Sequence, residues 1–220
     1  MTFDLEILDI RGHDGKDIMN SLLKQKSGPG PISIIFPGLH YNVDMPLLYY
    51  STGVLLESGH SVLSVDTSYS HKKDFMEGTS QERSKWMFED ARAVFEAVSK
   101  LDGYSLAVLV GKSLGTIQIG YYIENYNIMQ NSRIVWLTPL LKQEWLVQQM
   151  TAHKGKSLIV IGSADPHYSD EILGTIVEVG RSELLTVIQG NHSLDVPGGL
   201  LESMKQLTDV VSKMRDFVRG

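Results

Sequence analysis

Apolar positions along this chain cluster into short runs separated by longer stretches of helical spacing. Ile32–Phe36, His60–Val65, Leu106–Val110, Arg133–Leu137, Leu158–Ile161 and Leu184–Ile188 are brief and dominated by apolar residues, the pattern of strands with both faces covered. Between them the period lengthens. Pro46–Ser58 reads as a helix stopped at Gly59, and Gln81–Lys100 as one with Trp86, Ala91, Val94, Phe95 and Val98 on a single face. A short helix is expected over Lys142–Thr151, and a last one over Gly199–Val218, with Leu200, Met204, Leu207, Val211, Met214 and Val218 in one stripe against the sheet. At the start, Phe3, Leu5 and Ile7 alternate with Asp4 and Glu6, and a turn at 11–15 leads into Asp17–Lys24, which predicts an antiparallel hairpin.

Strands alternating with helices from Ile32 onward predict an α/β fold. Its central sheet is mostly parallel, with helices on both faces and the N-terminal hairpin as an antiparallel addition. Function in such a sheet sits at the carboxyl edge of the strands. A length of 220 residues suits a single domain, 1–220, with one core. The sequence has no cysteine, which removes thiolate nucleophiles, disulfides and cysteine-based metal sites. A net charge of −6 with scattered Lys and Arg argues against a nucleic-acid partner. The opening MTFDLEILDI carries acidic residues within its apolar stretch, and no uncharged apolar run approaches the ~18 residues of a membrane span. A cytoplasmic protein without a membrane partner is the expectation.

The stretch with the most chemistry is Leu106–Gly120, where the apolar run ends in Gly111-Lys112-Ser113-Leu114-Gly115 and a helical pattern begins. A tight strand-to-helix turn holds a serine hydroxyl at an exposed point, and flanking glycines let strand and helix backbones approach. A serine after a glycine is also an ordinary helix N-cap, so the pentapeptide alone is ambiguous. The phosphate-loop reading of Gly111-Lys112-Ser113 fails, because Leu106 stands where that motif requires its first glycine. Lys112 is expected to be a solvated surface lysine pointing away from any pocket.

Two further strand ends carry matching chemistry. Leu158–Ile161 runs into Gly162-Ser163-Ala164-Asp165-Pro166, where the proline biases Asp165 toward extended backbone. Leu184–Ile188 runs into Gly190-Asn191-His192-Ser193-Leu194. Singly, Asp165 reads as a turn carboxylate and His192 as a loop histidine. Jointly, Ser113, Asp165 and His192 follow three predicted strands in the order nucleophile, acid, base. Asp66, at the end of another strand, and Asp195, three residues from His192, are alternative acids.

GKSLG, GSADP, GNHS and an early FPGLHYN, with the strand–helix alternation, make the chain resemble the α/β-hydrolase superfamily over nearly its whole length. The small dienelactone-hydrolase-like and carboxylesterase branch is nearest. The resemblance implies Ser113, Asp165 and His192 as catalytic residues. It also implies an oxyanion hole from the backbone N–H groups of Leu114 and Leu39, with His40 and Tyr41 as candidate pocket lining. It implies a small-molecule ester-like substrate and no cofactor or metal. Pro37 and His40 stand where the commoner loop has histidine and its second glycine. The connection after Arg133–Leu137 passes almost directly into the next helix and leaves no room for a lid domain. The expected activity is that of a serine hydrolase on a small ester or thioester. Alternatives are a non-catalytic binding protein of the same fold, an acyltransferase and an oligopeptidase.

Overall fold

The computed structural model describes residues 3–126, 132–179 and 181–220. Its centre is one eight-stranded sheet, in spatial order β1-β2-β4-β3-β5-β6-β7-β8. The strands are β1 (Phe3–Glu6), β2 (Met19–Gln25), β3 (Pro31–Phe36), β4 (Ser61–Asp66), β5 (Ser105–Lys112), β6 (Arg133–Leu137), β7 (Lys156–Gly162) and β8 (Arg181–Val187). β1 and β2 pair antiparallel, as does β2 with β4, and every pairing from β4 to β8 is parallel. The expected hairpin and the expected mostly parallel sheet are both present.

Side-chain alternation along the central strands divides the core in two. Ile34, Leu109, Ile134, Trp136, Ile159 and Ile161 face one side, under α3 (Ser80–Ser99), α4 (Gly115–Asn125), α5 (Glu144–Ala152) and α6 (Asp170–Val179). Ile35, Val108, Val110, Val135, Leu158 and Val160 face the other, under α1 (Pro46–Glu57) and α7 (Leu200–Arg219). Two of the helices carry a clear local start signal. Pro46 occupies the first turn of α1, where its missing N–H costs nothing, and Thr79 and Glu82 form a reciprocal capping box on α3. Trp86, Ala91, Val94, Phe95 and Val98 are all buried in the first core layer.

Two helices lie outside the sequence-based reading, and the expected stripe on α7 packs differently. The polar stretch 67–80 contains a 3₁₀ turn and the short helix α2 (Lys73–Glu77), whose Phe75 stacks on Tyr69 at 4.3 Å. α6 lies outside the sequence-based reading, although 170–179 carries a helical pattern, with Asp170 and Glu171 in the first turn and Leu173 and Ile176 on the buried face. The stripe on α7 packs over its later turns: Met214 and Val218 are buried and Leu207 and Val211 half-buried against the core, while Leu200 and Met204 stay exposed. Those first turns run beyond the packed region and lie beside Met45 and Tyr41, not on the sheet. Among the described residues no helix is long and apolar enough to cross a membrane.

Strand order reverses between β3 and β5, one leading toward β4 and the other toward β6. The loop after β3 and the turn after β5 therefore diverge from a common crevice at the carboxyl edge.

Candidate active site

β5 delivers Ser113 into a turn with φ of 51°, a left-handed conformation that an L-residue adopts only when its surroundings enforce it. The enforcement is visible. Ser113 N–H donates to Leu137 O at 2.9 Å, and Ser113 O accepts from Thr116 N–H at 2.9 Å as α4 begins. The two glycines permit the close approach: a Cβ on Gly111 would lie 2.9 Å from Gly115 O, and one on Gly115 would lie 2.7 Å from Pro37 O.

β7 ends at Gly162 and is followed by Asp165, whose carboxylate is buried. Its Oδ1 accepts from His167 N–H at 2.8 Å and its Oδ2 from His192 Nδ1 at 2.7 Å. Burial alone would raise this acid's pKa, but the hydrogen bonds from His192 and from the His167 backbone outweigh it. Asp165 is held below the usual carboxylate range. Because the folded-state pKa is depressed, the stability it contributes is present at neutral pH and is lost as pH falls through the acid range into the folded value. Asp165→Asn is expected to flatten the acid limb of stability, measured by urea unfolding at successive pH values.

β8 leads to His192, on a loop folded around the Asn191 side chain, whose Oδ1 accepts from Ser193 and Asp195 N–H at 2.8 and 3.0 Å. His192 Nε2 lies 2.7 Å from Ser113 Oγ. An ionised carboxylate only accepts, so Nδ1 carries the proton toward Asp165 and Nε2 is free to accept from the serine. The imidazole side chain is 35% exposed and Ser113 is half-buried, so the pair faces solvent at one side. Hydroxyl, imidazole and carboxylate thus form one hydrogen-bonded line. Such a line can withdraw the serine's proton and stabilise the resulting imidazolium.

The alternative acids are not brought to His192. Asp66 Oδ1 accepts from the Ser68 backbone and hydroxyl, and Asp195 Oδ2 accepts from the Asn191 amide. The loop after β3 packs against the serine: a Cβ on Gly38 would lie 3.4 Å from Ser113 Cβ. Gly38 N–H donates to Tyr41 O at 2.9 Å and ties the loop together across Leu39 and His40. His40 and Tyr41 line a cleft of about 500 Å³ together with Asp66 and His71. Leu39 and Leu114 line a different cleft, of about 450 Å³, walled by Phe75, Met87, Phe88 and Trp145 with Arg83 at its side.

Lys112 contradicts its expectation. It is 1% exposed, and its ammonium donates to Thr138 Oγ1 at 2.6 Å and His192 O at 2.9 Å. The reason is parity: residue 112 lies on the same face of β5 as Val108 and Val110, under the loops of Tyr41 and His192. Sequence reasoning also passed over His167. It donates its backbone N–H to Asp165, and its ring lies 5.7 Å from that of His192, with Nδ1 buried and unbonded. The only signal for it was its place directly after Asp165-Pro166.

No family model matches this sequence, and no curated protein matches it either. Solved structures resemble it closely in architecture. Est1E from Butyrivibrio proteoclasticus, with ferulic acid bound, superposes with a TM-score of 0.72 at 18% identity, covering 96% of this chain and 97% of that one. A dienelactone hydrolase from Anabaena variabilis gives a TM-score of 0.72 at 13% identity, covering 98% and 97% of the two chains. XC6422 from Xanthomonas campestris, described as an a/b serine hydrolase without lid, gives 0.68 at 15% identity, covering 100% and 95%. With the sheet order, the switch point and the strained serine turn, these likenesses establish that the chain has the α/β-hydrolase fold.

Proposed function

We propose that the protein is a serine hydrolase that cleaves a small ester or thioester through an acyl-enzyme. The observation that carries this reading is the unbroken hydrogen-bonded line from Ser113 Oγ through His192 to Asp165, with 2.7 Å at each step. Ser113 attacks the acyl carbonyl while His192 takes its proton, and His192 then returns a proton to the departing alcohol or thiol. Water, activated by the same histidine, releases the acid. Asp165 holds the imidazole in its Nδ1-protonated form throughout.

The developing oxyanion is assigned to the N–H groups of Leu114 and Leu39. Leu114 stands at the start of α4, where the first N–H groups of a helix have no intrahelical acceptor. In the β3 loop Gly38 N–H is already committed to Tyr41, which leaves Leu39 as the donor beside the serine. These two residues also line the cleft walled by Phe75 and Trp145, so that cleft takes the apolar part of the substrate. The chain from Thr138 to α5 is short and holds no lid domain, which suits a reachable substrate. The likeness in fold to Est1E, to dienelactone hydrolase and to the lidless serine hydrolase supports this reading.

The test is covalent labelling with a fluorophosphonate, followed by turnover of p-nitrophenyl esters of increasing acyl length with Ser113→Ala as the blank. Labelling confined to Ser113 and measurable release from short acyl esters are expected. Folded protein that takes up no label and releases no product over roughly pH 5–9 would favour a non-catalytic binding role.

A further inference from the structure

We propose that Lys112 is a positioning residue that clamps the backbone of His192 to the nucleophile's own strand. One ammonium group grips the His192 carbonyl and the Thr138 hydroxyl, and its chain neighbour is Ser113 itself. The inference rests on the hydrolase reading for its catalytic meaning, while the clamp can be tested without turnover.

Four elements meet at this ammonium. β5 supplies the lysine, Thr138 follows β6, His192 lies on the loop after β8, and the Tyr41 ring from the β3 loop lies 5.2 Å from Nζ. Thr138 is itself held at φ of 45°, with its N–H donating to Val160 O at 2.7 Å, so the hydroxyl is presented from a strained and fixed backbone. The loop of His192 otherwise bonds to itself and to the end of β7, as in Ala164 N–H to Gly190 O at 2.9 Å. Among the described residues, its hydrogen bonds to β5 and the turn after it are those made by Lys112 and Ser113. Asp165 orients the imidazole from the side of β7, and the lysine adds a tie from the nucleophile's own strand that catalysis does not have to break and remake.

Burial of this ammonium is costly, because among the described residues no carboxylate forms an ion pair with it. Asp165 is the acidic group near enough to favour the charge, and Tyr41, Thr138 and the His192 carbonyl are the other groups facing it. Desolvation brings the lysine down to about 8 from its ordinary 10.5. An apolar side chain would fill the position without that penalty. The sign follows: the folded state binds the proton less tightly than the unfolded one, so the penalty is full below about pH 8 and is relieved as pH rises toward 10.5.

The experiment compares wild type with Lys112→Met. Three quantities are read: thermal stability at neutral pH, kcat and KM on p-nitrophenyl acetate across alkaline pH, and the downfield NMR resonance of the His192 Nδ1 proton. The variant is expected to be at least as stable as wild type. Its kcat should fall by about 10- to 100-fold with KM within about twofold, the scale of a misplaced catalytic group. Its Nδ1 resonance should broaden, and the alkaline decline in kcat expected of wild type as the ammonium loses its proton from about pH 8 should be absent. Unchanged kcat and resonance in the folded variant would overturn the clamp. So would failure of the variant to fold, which would make Lys112 a stability element. If wild type neither labels nor turns over, the hydrolase reading falls, and the resonance alone still decides whether Lys112 holds His192.

Discussion

Replacing Ser113 by alanine is expected to lower kcat/KM on short p-nitrophenyl esters by about 10⁴-fold or more, and His192→Ala by nearly the same factor. The double variant should lose little beyond either single one. Nucleophile and base form one hydrogen-bonded unit, so removal of either leaves the same residual contribution from substrate binding and the backbone donors. Neither change should cost much stability, because Ser113 occupies a left-handed conformation that it is forced to adopt and His192 is partly exposed. Steady-state kinetics of the three variants, with circular dichroism to establish folding, checks the result. Additive losses would place the two residues on separate steps and count against an acyl-enzyme.

Gly162→Ala is expected to damage folding and activity together. A Cβ there would overlap the carbonyl of Gly190 and sit 2.8 Å from Asn191 O, both of them backbone atoms of the loop that carries His192. Backbone cannot yield as a side chain tip would, so β7 and the loop must move apart. The expected costs are about 3 kcal/mol of stability for overpacking at backbone and about 10²-fold in kcat for displacement of the base. Urea unfolding measures the first and turnover below the transition the second. A fully stable, fully active Gly162→Ala protein would mean that the loop lies elsewhere.

The parallel core was legible because each central strand buries both faces, so its residues read as an apolar run regardless of which layer covers them. The serine turn was legible because two glycines at fixed spacing mark a place where backbones touch. Asp165 and His192 could be placed at strand ends by order alone. What escaped was decided by three-dimensional cover. Lys112 looks like any surface lysine in one dimension; only its parity with Val108 and Val110, extended past the end of the apolar run, puts it under the Tyr41 and His192 loops. His167 is marked only by its place after Asp165-Pro166, since its part is played by a backbone N–H. The exposed start of α7 shows the opposite limit: a continuous stripe reports what could be buried, and the length of the neighbouring α1 and sheet sets how much is.

The cost carried at Lys112, together with the left-handed backbone at Ser113 and Thr138, also has a meaning over evolutionary time. Each of the three is a place where a commoner choice would make the fold more stable: an apolar side chain at 112, glycine at 113 and at 138. A lineage released from selection for turnover would drift toward those choices, while Gly111, Gly115 and Gly162 would stay because the fold itself requires them. Retention of lysine and serine beside unchanged glycines would therefore mark descendants that still use the site, and their joint loss would mark those that keep only the scaffold.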